Sequence, residues 1–264
     1  MIIIAVVLGL LVGSFLNVLI VRIPKEESIV YPASHCVSCN HKLAAMDLIP
    51  VASYIILRGK CRYCGCKISP RYTLVEVLMG VLAACSYIAY GLSVEFVVSF
   101  VFQAILIVVA LIDLEHKIIP DVLVVAGTAV GVILIIYSVF YKVSFYDVWY
   151  SPLVGMVLVP GILYVVSRVG GMMFRVDYAV GLGDVGLFIP IGMIMGYKLS
   201  LLALIIAVLI GGCYGMYLML KDRKNGKKEI PFAPFISVGS VIAMYLGHDI
   251  VVWYVNNILV GGRF

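Results

Sequence analysis

Long runs of apolar residues, separated by short polar segments, dominate this chain. A helix needs about 20 mainly apolar residues to cross the hydrocarbon core of a bilayer. Stretches that meet or approach this length are residues 2–21, 73–90, 94–112, 121–141, 151–169, 184–197, 199–220 and 232–260. The pattern therefore predicts an all-α polytopic membrane protein with about eight transmembrane helices. No basic segment or clear cleavage site accompanies the first stretch, which indicates a retained helix rather than a signal peptide.

The composition agrees with this class. Apolar residues make up 64% of the chain and charged residues only 12%, against about 25% charged residues in an ordinary soluble domain. So few charges cannot cover so much apolar surface in water, which excludes a soluble globule and a disordered chain. This composition predicts that membrane lipid surrounds the protein. The net charge of +5 is modest, so we expect no nucleic-acid partner.

The placement of the basic residues predicts the orientation. Most of the 19 lysines and arginines fall in segment 22–72, or in segments 168–175 and 221–228 on the same face of the predicted bundle. Cytoplasmic loops of membrane proteins carry an excess of these residues. We therefore expect a first transmembrane helix over 1–21, a cytoplasmic loop domain over 22–72 and a helical core over 73–264, with both termini outside.

Four cysteines of the loop domain predict a metal site. Cys36 and Cys39 form one C-x2-C pair, and Cys61 and Cys64 form a second. Two such pairs present four thiolates to a tetrahedral zinc ion, and the reducing cytosol argues against disulfides. Four cysteine ligands complete the coordination shell and leave no open position on the metal, which predicts a structural zinc rather than a catalytic one. Free or redox-active thiols remain the alternative, and Cys66 is close enough in sequence to replace Cys64.

Two carboxylates at the ends of predicted spans are candidates for chemistry. Asp113 ends the third span and Asp184 begins the sixth, so the topology places both on the cytoplasmic face. Two carboxylates brought together cannot both ionise easily, which is the arrangement of an aspartic protease. The charged one takes a proton from water, and the protonated one donates to the scissile carbonyl. Gly181 and Gly183 permit close approach of a substrate backbone. Alternatively, both aspartates are ordinary helix-end residues, with Asp184 an N-cap.

Other polar residues have competing interpretations. Asp121 follows Pro120 and suits the start of a helix, and Asp177 suits a hydrated loop. Glu76, early in the second span, is either a paired structural acid or, as we favour, a group facing a polar cavity. Asn17 is expected to form an interhelical hydrogen bond.

Several of these motifs, in their order along the chain, resemble the prepilin peptidase family, also called type IV leader peptidases. These are Gly-x-Gly-Asp intramembrane aspartic proteases. The resembling stretches cover almost the whole chain: residues 13–24, the two cysteine pairs, residues 57–62, 68–76 and 112–114, Pro120 with Asp121, and residues 181–184 and 231–235. Gly-x-Gly-Asp alone would be a weak signal, whereas the ordered set is specific.

The resemblance implies catalytic roles for Asp113 and Asp184. It implies removal of the short basic leader from type IV prepilins or pilin-like proteins, at the cytoplasmic side of the bacterial inner membrane. Many members with such a cysteine loop also methylate the new amino terminus, which makes S-adenosylmethionine a candidate cofactor. No stretch reads as a methyl-donor pocket; the first loop and the region around Glu76 and Gly80 are the candidates.

One position departs from the family pattern. The family usually has lysine two residues after the second aspartate, and Gly186 stands there in this chain. A cation there would favour an ionised carboxylate nearby, and Lys117 or Arg175 are candidate replacements. Two other functions remain open: a transporter in which the carboxylates carry protons or cations, and a non-catalytic assembly scaffold that recruits partners through the zinc loop.

Overall fold

The computed structural model describes residues 1–174, 178, 180–221 and 230–260; Arg175 and Asp177 lie outside this part of the chain. Its elements are helical, which confirms the all-α prediction. The α-helices are α1 (Ile2–Arg22), α2 (Ala52–Ile56), α3 (Arg71–Tyr90), α4 (Val94–His116), α5 (Asp121–Phe140), α6 (Ser151–Phe174), α7 (Leu182–Lys221) and α8 (Ala233–Tyr254). Within the described residues, seven helices, all but α2, are long and apolar enough to cross a membrane. The protein is therefore a multi-pass membrane protein.

Helix α7 contains a break that separates two crossings. It is 40 residues long, or about 60 Å at 1.5 Å per residue, twice the thickness of a hydrocarbon core of about 30 Å. Gly196 interrupts it with φ 73° and ψ 174°. The break falls at the end of the predicted span 184–197 and before the predicted span 199–220. In the described part of the chain, the seven helices therefore provide eight segments that can cross the membrane, in agreement with the predicted number of about eight.

Contacts along α7 show that its two halves run in opposite directions. In the first half, Gly183 packs against Ile119, just before α5, and Met193 packs against Gly131 within α5. The first half is therefore parallel to α5. In the second half, residues 199–202 pack beside the end of α8, whereas residue 211 packs beside its start. The second half is therefore antiparallel to α8. Helices α5 and α8 start at the same end, because Asp113, a few residues before α5, accepts the N–H of Ala233 at the start of α8; the two halves of α7 therefore run in opposite directions.

The chain divides into two compact units, Met1–Ile112 and Asp113–Phe264. The division into a first transmembrane helix over 1–21, a loop domain over 22–72 and a core over 73–264 stays a prediction.

Within the first unit, α1 and α3 pack backbone against backbone. A Cβ atom on Gly9 would lie 2.6 Å from the carbonyl oxygen of Met79, and one on Gly13 would lie 2.7 Å from the Cα atom of Glu76. Gly80 packs against α1 from the other side of the same contact. Small residues permit such an approach between membrane helices, and larger side chains would force α1 and α3 apart.

Candidate catalytic and metal-binding sites

Asp113 is buried in the last turn of α4, and its carboxylate is fixed by the start of another helix. Its Oδ2 atom accepts a hydrogen bond of 3.0 Å from the backbone N–H of Ala233, the first residue of α8. The first N–H groups of a helix have no partner within the helix, and Asp113 supplies one. Pro234 follows, where its missing N–H costs nothing. Sequence reasoning used residues 231–235 only as a family motif and missed this contact.

Asp184 lies in the first turn of α7 and is partly exposed. Its N–H donates to the carbonyl oxygen of Gly181 at 3.1 Å, and a Cβ atom on Gly181 would lie 3.2 Å from the Oδ2 atom of Asp184. A side chain at that position would therefore crowd the carboxylate. Asp113 and Asp184 are close enough for their charges to interact. The structure thus brings the two predicted carboxylates together; their catalytic roles stay a prediction.

The glycines on either side of Asp184 differ in the space around them. Gly183 is exposed and packs on Ile119, with 3.1 Å between a Cβ atom on Gly183 and the Cβ atom of Ile119. Its small size therefore lets the connection before α5 approach α7. A Cβ atom on Gly186 would meet nothing within 4 Å, so the position that carries lysine in the family is open space. Lys117, one candidate replacement, donates its N–H to the carbonyl oxygen of Asp113 at 2.9 Å.

Asp121, the rival carboxylate, is exposed at the first residue of α5. This position agrees with the predicted role at a helix start, where a negative charge is favourable. The other rival, Asp177, lies outside the described residues.

The two cysteine pairs form matching turns. The N–H of Cys36 donates to the carbonyl of His41, and the N–H of Cys61 donates to the carbonyl of Cys66. Each turn contains one residue of positive φ directly after its second cysteine, Asn40 in the first and Gly65 in the second. A short antiparallel bridge closes each turn. By this correspondence Cys66 matches His41 and Cys64 matches Cys39, which favours Cys64 as the ligand. The Sγ atom of Cys66 nevertheless lies 3.5 Å from that of Cys36, so the choice between Cys64 and Cys66 stays a prediction.

The sulfur atoms of Cys36, Cys39, Cys61 and Cys64 all lie within 4.8 Å of one another. A tetrahedral zinc ion with bonds of about 2.3 Å holds its sulfurs about 3.8 Å apart, so the cluster is compatible with a structural zinc. Backbone N–H groups of Cys39 and Ser38 donate to the Sγ atom of Cys36 and lower the pKa of that thiol to about 6. The thiolate form of Cys36 is therefore favoured near neutral pH, whereas desolvation and the neighbouring thiols raise the pKa of Cys39 and of Cys64.

Asp47 joins the second cysteine turn to the segment before α2. It accepts hydrogen bonds from Arg62 Nε at 2.6 Å, from the Tyr63 hydroxyl at 3.0 Å and from the Ala44 N–H at 3.1 Å. The bond from the Arg62 guanidinium holds the pKa of Asp47 below its usual value. The Tyr63 ring also packs against the His41 ring, with 3.7 Å between centroids and 32° between the ring planes. Sequence reasoning missed Asp47, because no spacing rule pairs this acid with a cysteine turn.

Glu76 and Asn17 lie one helical turn apart along the contact between α1 and α3. Glu76 is buried, and its Oε2 atom accepts the N–H of Val51 at 2.8 Å. Val51 has φ +60°, which is rare for a β-branched residue. Asn17 donates to the carbonyl oxygen of Tyr72 at 3.0 Å, which confirms the predicted interhelical bond. Its Oδ1 atom is buried and has no partner among the described residues.

Comparison with known proteins gives consistent matches along the chain. Residues 7–90 match the bacterial peptidase A24 N-terminal domain, and residues 100–216 match the type IV leader peptidase family. No solved structure matches.

Full-length relatives extend these matches. A prepilin leader peptidase/N-methyltransferase of Bacillus subtilis (strain 168) is 34% identical over 256 residues, covering 95% of this chain and 96% of the relative. A protein of the same name from Pseudomonas putida is 30% identical, covering 93% and 91%. The type 4 prepilin-like proteins leader peptide-processing enzyme of Escherichia coli O78:H11 is 31% identical, covering 92% and 93%. The chain therefore belongs to the type IV leader peptidase family.

Proposed function

We propose that the protein is an intramembrane aspartic endopeptidase that removes the leader from type IV prepilins or pilin-like proteins. The observation that carries the proposal is the approach of Asp113 and Asp184 at the start of α7. Family membership supports it, since relatives are named prepilin leader peptidases. The basic residues of segment 22–72 favour cleavage at the cytoplasmic face of the bacterial inner membrane.

The hydrogen bond that Asp113 accepts indicates which carboxylate acts as the general base and which as the general acid. Its Oδ2 atom already accepts the N–H of Ala233, so we assign Asp113 the role of the base. It takes a proton from water, and the water oxygen attacks the scissile carbonyl carbon. Asp184 donates its proton to the carbonyl oxygen. Collapse of the tetrahedral intermediate breaks the C–N bond, and a proton from the dyad leaves with the amine.

Single replacements of the two aspartates test this assignment. Asp113→Asn and Asp184→Asn keep the side-chain size but cannot exchange the proton, so each should lower prepilin cleavage by roughly 10²–10⁴-fold. Asp121→Asn is the matched control, because Asp121 is an exposed acid at the start of a helix. Normal cleavage by either active-site variant would overturn the dyad. If the wild-type protein showed proton-coupled flux without prepilin cleavage, it would be a transporter. If it bound pilin without cleaving it, it would be an assembly scaffold.

We also propose that Cys36, Cys39, Cys61 and Cys64 hold one structural zinc ion. The compact group of four sulfurs supports this, as does the correspondence between the two turns. Zinc would cross-link two short segments that have little apolar core of their own. Metal analysis of reduced, purified protein should find about one zinc per chain. Finding none would overturn the assignment, and a Cys66→Ser variant should keep its zinc.

A second activity, methylation of the new amino terminus, is proposed from the names of the relatives. S-adenosylmethionine supplies an electrophilic methyl group carried on a positively charged sulfur. Glu76 and the unpartnered Oδ1 atom of Asn17 fit its positive charges, because both offer acceptors in an apolar setting. Gly80 packs against α1 and offers no polar side chain.

Direct binding tests the cofactor site apart from activity. Glu76→Gln keeps an acceptor for the Val51 N–H but removes the charge, so it should weaken binding of labelled S-adenosylmethionine in equilibrium dialysis. Glu27→Gln, which changes an exposed acid, is the control. Equal binding by both variants would show that Glu76 does not hold the cofactor.

A further inference from the structure

A basic cavity of about 430 Å³ lies in the first unit, directly before α3. The side chains that the argument uses are those of Tyr54, Arg58, Lys60, Lys67 and Ser69. They supply three cations and two hydroxyl groups, and no carboxylate is among the described residues that line the cavity. Such a donor-only set is complementary to a phosphate group.

The three cations line the cavity from exposed positions and face no counter-charge there. Lys60 and Lys67 form an antiparallel bridge, so their side chains leave the backbone on the same face. Like charges placed opposite one another repel, and Arg58 adds a third. Among the residues the structure describes, no carboxylate forms an ion pair with any of the three. A bound anion would relieve this repulsion.

The position of the cavity along the chain places it at the depth of lipid headgroups. Lys67 and Ser69 come immediately before Arg71, where the candidate membrane span of α3 begins. The headgroup layer is about 5–8 Å thick on each side of the hydrocarbon core, a distance that these few residues cover. Tyr54 also lines the cavity, and tyrosine is enriched at this interface.

Two exposed apolar side chains stand beside the cavity. Ile55 and Ile56 of α2 directly follow Tyr54 and are 67% and 73% exposed. If the three cations bound an acidic segment of a soluble partner, the exposed apolar pair beside them would have no role. Adjacent apolar and basic side chains are typical of segments that lie in the membrane interface and select anionic lipids.

We propose that this cavity binds the headgroup phosphate of an anionic phospholipid, with Ile55 and Ile56 in the acyl region. Arg58, Lys60 and Lys67 contact the phosphate, and the hydroxyl of Ser69 donates to it. The bound lipid fastens the loop that carries the cysteine cluster to the membrane surface.

Lipid retention by the full-length protein tests the proposal. The protein is purified with equal amounts of phosphatidylglycerol and phosphatidylcholine, and bound lipids are counted by native mass spectrometry. The wild type should retain phosphatidylglycerol preferentially. Lys60→Gln/Lys67→Gln should lower its affinity about tenfold or more. Lys25→Gln/Lys42→Gln makes the same charge change at exposed lysines of the same loop and should retain the lipid.

Three outcomes would overturn the proposal. Equal loss of lipid in both double variants would indicate only general electrostatic attraction. Displacement of phosphatidylglycerol by inorganic phosphate would indicate a site for a free anion instead. Unchanged retention in Lys60→Gln/Lys67→Gln and in Ile55→Ser/Ile56→Ser would exclude the site. A normal zinc content in each variant shows that the loop is still folded.

Discussion

Replacing Gly196 with alanine tests the reversal of α7. The residue has φ 73° and ψ 174°, a region that is almost exclusive to glycine, and another residue there costs about 1–3 kcal/mol. A Cβ atom on Gly196 would also collide with the Oγ atom of Ser151, the buried first residue of α6. Overpacking of this kind costs about 1–3 kcal/mol more. The variant should therefore lose about 2–6 kcal/mol in total.

Thermal unfolding followed by tryptophan fluorescence in detergent measures this loss. For a chain of this size, each kcal/mol corresponds to about 2–4 °C, so Tm should fall by at least about 4 °C. Gly212→Ala is the matched control, because Gly212 lies in the same helix and a Cβ atom there meets nothing within 4 Å. It should be neutral or slightly stabilising, since alanine favours helix.

A second variant separates the two contributions. Ser151→Ala combined with Gly196→Ala removes the colliding hydroxyl but leaves the backbone conformation, so it should recover only part of the lost Tm. If Gly196→Ala unfolds at the same temperature as Gly212→Ala, α7 does not bend at Gly196 and the assignment of two crossings is wrong.

Three further predictions concern the loop, the active site and the packing of α1. The hydrogen bond from Arg62 lowers the pKa of Asp47 in the folded loop. It therefore stabilises the folded loop at pH values above the ordinary carboxyl pKa. This stabilisation is lost as pH falls through the lower pKa that Asp47 has in the folded loop. Asp47→Asn should remove it, so proteolysis of the variant loop should depend less on pH than that of the wild type as pH falls below the ordinary carboxyl pKa. Gly186→Lys should fold normally because the position is open, and it should shift the pH profile of prepilin cleavage; an unchanged profile would show that the added charge does not reach the aspartates. Gly9→Ala should lower Tm by several degrees because its Cβ atom would meet the Met79 carbonyl, and an unchanged Tm would contradict the close contact between α1 and α3.

Sequence reasoning predicted the spans well because apolar length is a direct consequence of bilayer thickness. It also predicted the cysteine cluster, since the spacing of each pair fixes a local turn. Contacts that join distant segments left no such pattern. The bond from Ala233 to Asp113 joins residues 120 positions apart, and the bond from Val51 to Glu76 depends on a loop residue of unusual φ. Neither follows from periodicity or spacing.

The reversal at Gly196 and the pairing of the two aspartates depend on each other. Asp113 binds Ala233 at the start of α8, and Asp184 lies at the start of α7. The second half of α7 is antiparallel to α8, so it ends beside the start of α8. If α7 crossed the membrane once, its start and the start of α8 would lie at opposite ends, and Asp184 could not approach Asp113. Because the chain reverses at Gly196, both starts lie at one end. A glycine remote in sequence from both carboxylates is therefore a condition of the proposed active site.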